Sequence, residues 1–269
     1  MIINCDAMQI YKELPIITAQ PDATDMAKTE HLMYGFRSIF EEEKYSVGKY
    51  LQDLRTTIDS LSGDCIPIIV GGSMMYVEAI IEGIDEIPEI ELAQLVEMRH
   101  FFEKKSTKEL FQLLVEKDKK YADFLIKKDA STNRQKVTRD LEVVGATGKS
   151  IMDFWGNKRK LFNDFQFEKY VTSLDRKNLY EKINKRFDKM LVEGALEEVK
   201  KVYEKGKKNN YEEIKKTLPK IIGLLEFFDY FDGLITLDTA IDEAKKASRR
   251  YAKRQLTWFR NRFISFETI

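Results

Sequence analysis

The first residue that could do chemistry is Asp6, which directly follows an apolar, strand-like run at residues 2–5. In open parallel sheets, ligands gather beyond the carboxyl ends of the strands. A carboxylate at that edge can serve as a general base or hold Mg²⁺. Taken alone, the position is explained more simply by an aspartate that caps the following turn.

A second such position is the segment Gly71, Gly72 and Ser73, which lies between an apolar run and a helical pattern. Two glycines let the backbone approach a ligand closely, and a helix N-terminus with a serine hydroxyl suits phosphate or polar substrate atoms. A serine that only caps the helix after a tight turn fits the same residues. The sequence supports both interpretations about equally.

Residues 245–262 form the most unusual segment, because they contain eight cations and no acid. The cations are Lys245, Lys246, Arg249, Arg250, Lys253, Arg254, Arg260 and Arg262. Helical spacings of three and four bring several of them onto one face, which suits phosphate contacts, and the interleaved Tyr251 and Gln255 suit stacking or base edges. A solvated basic face is the alternative, with Trp258 and Phe259 expected in the core. For the cations we expect nucleic acid or another polyanion.

Gly148, Lys149 and Ser150 resemble the end of a Walker A phosphate loop, which also requires a glycine five residues before the Gly-Lys pair. That position is Val143, and no strand-like run precedes the segment. We therefore interpret it as the end of a helix and not as a nucleotide-binding loop.

The elements around the first two positions indicate an α/β core. Helical periodicity runs from residue 46 to about 62, and the apolar, β-branched run at 66–70 is typical of a fully buried strand in a parallel sheet. The glycine turn then opens a second helix at residues 74–81. Strand, helix, strand, glycine turn and helix in succession are typical of an α/β fold.

The pattern changes further along the chain. Residues 88–165 are charged and helical with no clear strand, so we expect a helical insertion domain there. The α/β core with its C-terminal helices would then comprise residues 1–87 and 166–269. Its second part is expected to hold a third strand at 170–174, a long helix from 177 to about 204, and another through the basic segment.

The composition of the 269 residues excludes several classes of protein. Hydrophobic residues make up 43%, too many for a mainly disordered chain, and 45 Lys and Arg balance 45 Asp and Glu, which excludes a globally basic protein. Two cysteines and two histidines exclude a disulfide framework and a multi-histidine metal site. No apolar run approaches the roughly 18 residues of a membrane span, so we expect a cytoplasmic protein without a membrane partner.

Six short segments are more specific than any single position. They are residues 6–11 (D-A-M-Q-I-Y), 16–21 (I-I-T-A-Q-P), 68–76 (I-I-V-G-G-S-M-M-Y), 139–149 (R-D-L-E-V, then T-G-K), 179–191 (L-Y-E-K-I-N-K-R-F-D-K-M-L) and 249–260 (R-R-Y-A-K-R-Q-L-T-W-F-R). In this order they resemble the motifs of the tRNA dimethylallyltransferase family, nearly from end to end.

The resemblance implies an α/β fold with a P-loop-NTPase-like parallel sheet and a helical insertion domain that contacts tRNA. It also implies an enzyme, which transfers a dimethylallyl group from dimethylallyl diphosphate to N6 of adenosine 37 in tRNA, with Mg²⁺. In the family, the base is flipped into a channel from one side and the diphosphate enters from the other. The implied partners are the tRNA anticodon stem-loop and dimethylallyl diphosphate, and a monomer is expected.

The family's motifs also imply roles for individual residues. Asp6 would bind the exocyclic amine and act as the base, and Arg186 would stabilise charge on the diphosphate leaving group. Ser73 keeps the hydroxyl of the usual threonine, and with Asp6 it is an implied Mg²⁺ ligand. The implied tRNA-binding residues are Ala7, Met8, Gln9, Gln135, Lys136, Arg139, Gly223, Arg249, Arg250, Lys253, Arg254, Gln255 and Arg260.

Two tRNA-contacting motifs depart from the family's pattern. The family's N-D-x-Q-R is T-N-R-Q-K at residues 132–136, and the lysine at its end cannot reproduce a bidentate arginine contact. The family's I-G-Y is I-G-L at residues 222–224, which loses a tyrosine hydroxyl.

The largest departure is at the beginning of the sequence. Family members carry a first strand, a G-P-T-[AG]-[SG]-G-K-[ST] phosphate loop and a helix before the segment equivalent to residues 2–6, whereas here Met1 starts that segment. The resemblance therefore implies an N-terminally truncated core whose sheet lacks a strand and exposes an apolar edge. The loop's N–H groups and lysine, which hold the diphosphate, would be missing.

Two other functions are compatible with these residues. A non-catalytic tRNA-binding remnant of the same family would bind RNA in a salt-sensitive way without transferring anything. A related adenylate prenyltransferase would act on a free nucleotide, but such an enzyme needs neither the basic helix nor the insertion.

Overall fold

The computed structural model describes residues 1–41, 45–63, 65–208, 211, 215, 218–262 and 266–268. The chain divides into two compact units, a core unit formed by Met1–Ile81 with Leu161–Ile269 and an insertion unit formed by Glu82–Lys160. The insertion unit therefore interrupts the core unit once along the sequence.

Helices predominate in both units. The helices are α1 (Ala23–Lys28), α2 (Val47–Asp59), α3 (Met74–Glu82), α4 (Leu92–Glu103), α5 (Thr107–Lys117), α6 (Lys119–Lys127), α7 (Arg134–Thr147), α8 (Arg176–Val192), α9 (Ala195–Lys207), α10 (Leu224–Phe231) and α11 (Leu237–Arg262), with a 3₁₀ turn at Ile151–Phe154. The strands are β1 (Ile2–Asn4), β2 (His31–Leu32), β3 (Ile68–Val70), β4 (Ile84–Asp85), β5 (Lys158–Arg159), β6 (Tyr170–Val171) and β7 (Glu267–Thr268). Within the described ranges, no helix is long and apolar enough to cross a bilayer.

A three-stranded parallel sheet, in the order β2-β1-β3, lies in the core unit. The central strand pairs Ile2 with both His31 and Ile68. Tyr50 of α2 is fully buried, and its hydroxyl donates a hydrogen bond to the Asn4 carbonyl oxygen at 3.0 Å. The prediction of an α/β core with a parallel sheet is confirmed.

The prediction that residues 66–70 form a fully buried strand is wrong. The strand covers Ile68–Val70, and the side chains of Ile68 and Val70 are 56% and 45% exposed. Among the described residues, β3 has only β1 as a neighbour, so it is an edge strand. An apolar run shows that a strand can be buried, but the elements that cover it come from elsewhere in the chain.

The strand expected at residues 170–174 is reduced to β6 and does not join the main sheet. It pairs in parallel with β7 as a separate two-stranded sheet. The third strand of the main sheet is β2, whose two residues are too few to show any periodicity. The insertion unit contains an antiparallel pair, β4 with β5, although its sequence indicates no strand.

The single helix expected from residue 177 to about 204 is two helices, α8 and α9. The chain breaks at Gly194, which adopts the left-handed conformation with φ 104°. Glycine takes this conformation without the steric penalty of a Cβ. The turn directs α9 so that Glu198 accepts hydrogen bonds from the N–H groups of Ile16 and Ile17 at 2.8 and 2.9 Å.

The main hydrophobic core of the core unit lies where α8, α9, α10 and α11 pack together. Leu224, Phe227 and Phe228 of α10 are fully buried with Ala240 and Ala244 of α11. The two alanines lie one turn apart on the same face, and their small side chains let the two helices approach closely. This packing holds the first half of α11 in place.

The insertion unit has a core of its own, formed by α5, α6 and α7 with buried Leu110, Leu125 and Leu141. Two carboxyl groups are buried beside it: Asp140 accepts a hydrogen bond from the Ile151 N–H at 2.9 Å, and Asp118 accepts one from the Tyr121 N–H at 2.9 Å.

The second oxygen of each buried carboxyl group has no hydrogen-bond partner in the part of the chain that the structure describes. Burial raises the pKa of Asp140 to about 7, and the nearby Asp118 adds to the rise against the opposing Ile151 N–H. The Asp140 carboxyl group therefore holds a proton at mildly acidic pH.

Candidate active site

The carboxylate of Asp6 is fixed in the turn that follows β1. Its Oδ1 accepts a hydrogen bond from the Met8 N–H at 2.8 Å. The fully buried Asn4 accepts from the Asp6 N–H at 2.8 Å and donates from Nδ2 to the carbonyl oxygens of Asp6 and Met33, both at 3.0 Å. Asn4 is therefore a supporting residue that sequence reasoning missed, and its only signal is a polar residue inside an apolar strand.

Burial raises the pKa of the Asp6 carboxyl group above its ordinary value. The Met8 N–H opposes this rise most strongly, followed by the positive charge of Arg186 and the Ser73 hydroxyl. A carboxylate with a raised pKa is a stronger base than an exposed aspartate, provided that it stays ionised. Asp6 thus has the properties of a general base.

Ser73 connects the end of β3 to the Asp6 turn. Its hydroxyl oxygen accepts a hydrogen bond from the Ala7 N–H at 2.8 Å, and its own N–H donates to the Cys5 carbonyl oxygen at 3.2 Å. A Cβ on Gly71 would lie only 2.2 Å from the carbonyl carbon and oxygen of Cys5, so the close approach of the two strand ends requires glycine.

Helix α11 reaches the same turn through two side chains. The Gln255 Nε2 donates a hydrogen bond to the Gly72 carbonyl oxygen at 2.8 Å, and the Tyr251 hydroxyl donates to the same oxygen at 3.3 Å. The sequence suggested Tyr251 and Gln255 for stacking or base edges, and the family's motifs imply a tRNA contact for Gln255. The structure instead places both side chains against this turn, on one helix face at a spacing of four residues.

Four of the eight cations of the basic segment are engaged by side chains of the core unit. These are Lys245 with Asp188, Lys246 with Asp242 and Glu243, Arg249 with Asn184, and Arg262 with Glu78. The Arg249 Nη1 lies 2.6 Å from the Asn184 Oδ1. A role of Arg249 in RNA binding would have to compete with this contact.

The other four cations face outward. Arg250, Lys253 and Arg260 make no hydrogen bond or ion pair with the described residues, and Arg254 lies over the Tyr251 ring, 5.5 Å from its centroid.

A groove of about 690 Å³ runs along this surface. It is lined by Met74, Arg250, Lys253, Arg254, Thr257, Trp258, Asn261 and Arg262. Positive charge and an aromatic ring in one groove suit a polyanion that carries bases.

The expectation that Trp258 and Phe259 lie in the core is wrong, because both are only partly buried. Their rings meet edge to face with centroids 5.1 Å apart, and Trp258 lines the groove. Helical periodicity predicts on which face of a helix an aromatic residue lies. It does not predict whether another element packs against that face near the end of α11.

Arg186 lies on α8 with its side chain exposed, next to the buried Phe187. It makes no hydrogen bond or ion pair with other residues that the structure describes, and it acts on Asp6 through its charge. Its guanidinium group is thus available for an external anion near the carboxylate.

Three residues that the family's motifs imply for tRNA binding serve the fold in this structure. The Gln9 Nε2 donates to the carbonyl oxygens of Thr18 and Ala19 at 3.0 and 2.6 Å. Gly223 is buried in a left-handed turn with φ 93°, where a Cβ would lie 3.0 Å from the Ile17 Cδ1. Met8, also in the implied set, packs partly buried against the main core.

Gln135, Lys136 and Arg139 lie on α7 of the insertion unit, and none of the three is buried. The helix begins after Asn133, whose side chain accepts a hydrogen bond from the Lys136 N–H at 3.2 Å. Arg139 Nη1 lies 3.3 Å from a carboxylate oxygen of Glu142. The asparagine that replaces the family's aspartate thus still caps this helix.

Comparison with known proteins gives one consistent family. Residues 9–262 match the family model described as IPP transferase. A tRNA dimethylallyltransferase of Wolbachia pipientis wMel is 39% identical over 100% of this chain and 86% of its own length. Another, from Bartonella quintana (strain Toulouse), is 38% identical over 98% of this chain and 85% of its own length.

Solved structures agree with this result. A tRNA isopentenylpyrophosphate transferase from Bacillus halodurans superposes with a TM-score of 0.63 and 30% identity, over 100% of this chain and 80% of that one. A eukaryotic dimethylallyltransferase acting on tRNA gives a TM-score of 0.75 and 25% identity, over 96% of this chain and 63% of that one. The resemblance drawn from the six segments and the mixed α/β, P-loop-like fold are confirmed.

Proposed function

The chain belongs to the IPP transferase family, and from this premise we propose that it transfers a dimethylallyl group from dimethylallyl diphosphate to N6 of adenosine 37 in tRNA. The observation that carries the proposal is the arrangement at the strand ends. The partly buried Asp6 carboxylate is fixed beside Ser73, and the cationic helix α11 is hydrogen-bonded to the same turn.

In the proposed reaction the N6 nitrogen attacks C1 of the dimethylallyl group. The new N–C bond forms as the bond from C1 to the diphosphate oxygen breaks, and the diphosphate leaves with that electron pair. Asp6 accepts a proton from N6, which suits a carboxylate with a pKa raised by burial. Its charge is then neutralised as the product forms.

Arg186 is proposed to stabilise the leaving diphosphate. Negative charge accumulates on the bridging oxygen in the transition state, and a guanidinium group can pair with two phosphate oxygens at once. The exposed Arg186 side chain has no acidic partner among the described residues that would have to be displaced first.

Asp6 and Ser73 also fit a partial Mg²⁺ site. The described residues contain no group of three or more His, Cys, Asp or Glu side chains placed to hold a metal ion. Mg²⁺ is commonly held by one or two protein oxygens together with substrate phosphates and water, and the Asp6 carboxylate and Ser73 hydroxyl would be the protein's contribution. The ion would neutralise charge on the diphosphate.

The RNA is proposed to bind along the outer face of α11, with the anticodon stem-loop as the recognised element and the protein acting as a monomer. Arg250, Lys253, Arg254 and Arg260 would contact phosphates, and Trp258 would offer a stacking surface in the groove. Extruding the target base costs a few kcal/mol, and these contacts would offset that cost.

The test is transfer from dimethylallyl diphosphate to a synthetic anticodon stem-loop, detected as the mass increase of the adenosine. We expect Asp6→Asn, which keeps the shape but removes the base, to lower kcat by at least about 100-fold. Asp123→Asn, on an exposed position of the insertion unit, is the matched control and should retain activity. Replacing adenosine 37 by guanosine should abolish transfer.

The outcomes separate the competing functions. Full activity of Asp6→Asn would rule out the role of Asp6 as the base. Salt-sensitive RNA binding without any transfer by the wild-type protein would identify a non-catalytic tRNA-binding protein. Transfer to free adenylate in preference to the stem-loop would identify an adenylate prenyltransferase.

A further inference from the structure

One backbone carbonyl joins the RNA-facing helix to the proposed catalytic turn. The Gly72 carbonyl oxygen accepts hydrogen bonds from both Gln255, at 2.8 Å, and Tyr251, at 3.3 Å. A carbonyl oxygen has two lone pairs, so these two donors satisfy it fully. A Cβ on Gly72 would lie 2.1 Å from the Gln255 Nε2, which shows how closely the helix approaches the turn.

The residues on either side of Gly72 hold the Asp6 turn. Gly71 lies against the Cys5 backbone, and Ser73 accepts the Ala7 N–H at 2.8 Å. A shift of the Gly72 carbonyl would therefore move the Ser73 hydroxyl relative to Asp6. Burial raises the pKa of Tyr251, and the Asp6 charge raises it further, so the phenol lies within the electrostatic reach of that carboxylate.

We propose that Tyr251 and Gln255 are positioning residues, which hold the Gly72–Ser73 turn so that the Asp6 carboxylate lies in the productive position for proton removal. The inference rests on the proposed transfer reaction and goes beyond it. It assigns Gln255 to the inner face of α11, although the family's motifs imply a tRNA contact for this residue.

The two faces of α11 have different tasks under this proposal. Arg250 and Arg254 each directly precede an inward-facing residue in sequence, yet they line the outer groove. A phosphate contact on the outer face affects how tightly RNA binds. A hydrogen bond on the inner face affects how well bound RNA reacts.

Contacts other than those of Tyr251 and Gln255 also hold α11 in the fold. Its first half is packed through Ala240 and Ala244, and Arg249 is hydrogen-bonded to Asn184 at 2.6 Å. Loss of the two inner hydrogen bonds should therefore leave α11 folded and act locally. Small displacements of a catalytic group are costly, since about 1 Å of misplacement can lower a rate by about 100-fold.

The experiment uses Tyr251→Phe and Gln255→Met, which keep side-chain size and remove the donors. We expect kcat to fall by about 10- to 100-fold for the pair of substitutions together, with KM and Kd for the stem-loop close to wild type. Arg250→Met, on the outer face beside Tyr251, is the contrasting variant and should raise KM and Kd for the RNA. Thermal unfolding of each variant monitors the fold.

The results distinguish the inference from the proposed function. Absence of transfer by the wild-type protein would overturn both. Transfer by the wild type with an unchanged kcat in the double variant would overturn the positioning role alone. A rise in Kd for RNA in the double variant, at unchanged kcat, would also overturn it and would return Gln255 to the tRNA-binding set.

Discussion

The hydroxyl oxygen of Ser73 accepts a hydrogen bond from the backbone N–H of Ala7 at 2.8 Å. The two residues are far apart in sequence, and each follows a strand of the same parallel sheet. The bond fixes the turn that carries Asp6 from the side of β3. A threonine would offer the same oxygen, because it differs by one methyl group.

Two substitutions of Ser73 should show how much its hydroxyl group contributes to stability and to transfer. Ser73→Ala leaves the Ala7 N–H without its acceptor, which we expect to cost about 1–3 kcal/mol of stability and to lower transfer. Ser73→Thr should stay close to wild type in both properties. Thermal unfolding and initial rates check this, and equal behaviour of the two variants would contradict the role of the hydroxyl.

Replacement of Arg186 should change the pH dependence of transfer. Burial raises the pKa of Asp6 and the Arg186 charge opposes the rise, so Arg186→Met should raise that pKa further. Because Asp6 must be ionised to accept a proton, the acid limb of kcat/KM would move to higher pH. Lys182→Met, on the exposed face of the same helix, is the control. An unmoved acid limb would show that Arg186 does not act on Asp6.

The two sets of cations on α11 should differ in their contribution to RNA binding. Lys253→Met removes an outward cation and should reduce the slope of log Kd against log salt by about 1. Lys246→Met removes a cation already held by Asp242 at 2.7 Å and should change the slope much less. Binding titrations at several salt concentrations measure both, and equal slopes would refute the division into two sets.

The stability of the insertion unit should fall as pH rises. The pKa of Asp140 is about 7 in the folded unit, against an ordinary value of 3.8 for this side chain. Between these two pH values, the folded unit therefore binds a proton at Asp140 that the unfolded chain does not bind. The stabilisation that this proton gives the folded unit is present at acidic pH, decreases between about pH 4 and 7, and is lost above about pH 7. The charged groups nearby are Asp118 and Asp153, the latter paired with Lys120 at 3.0 Å.

Asp140→Asn should remove this dependence, because an amide stays neutral and can donate to the free Asp118 oxygen. We expect the variant to be more stable than wild type at about pH 8, by on the order of a few kcal/mol, with a smaller difference at about pH 5. Asp123→Asn is the exposed control. Thermal unfolding of wild type and Asp140→Asn at the two pH values tests this expectation. The same change of stability with pH in both proteins would contradict the prediction.

Several features of this protein were determined by the sequence alone. The order of the six segments identifies the family, because each segment combines residue types that rarely occur together by chance. The run of cations predicts one basic helix, and Asp6 and Ser73 are each predicted beyond the carboxyl end of a strand, where ligands gather in open parallel sheets. These are local patterns, or consequences of one regular geometry.

Only the tertiary structure decided which of these residues are available to a ligand. Gln9 and Gln255 carry the same amide as any surface glutamine, but their Nε2 atoms donate to backbone carbonyl groups of other segments. The cations of α11 look equivalent in the sequence, but Lys245, Arg249 and Arg262 are engaged by acids or an amide of other helices. Hydrogen bonds and ion pairs of this kind depend on which segments meet in space, and no spacing within one segment reveals that.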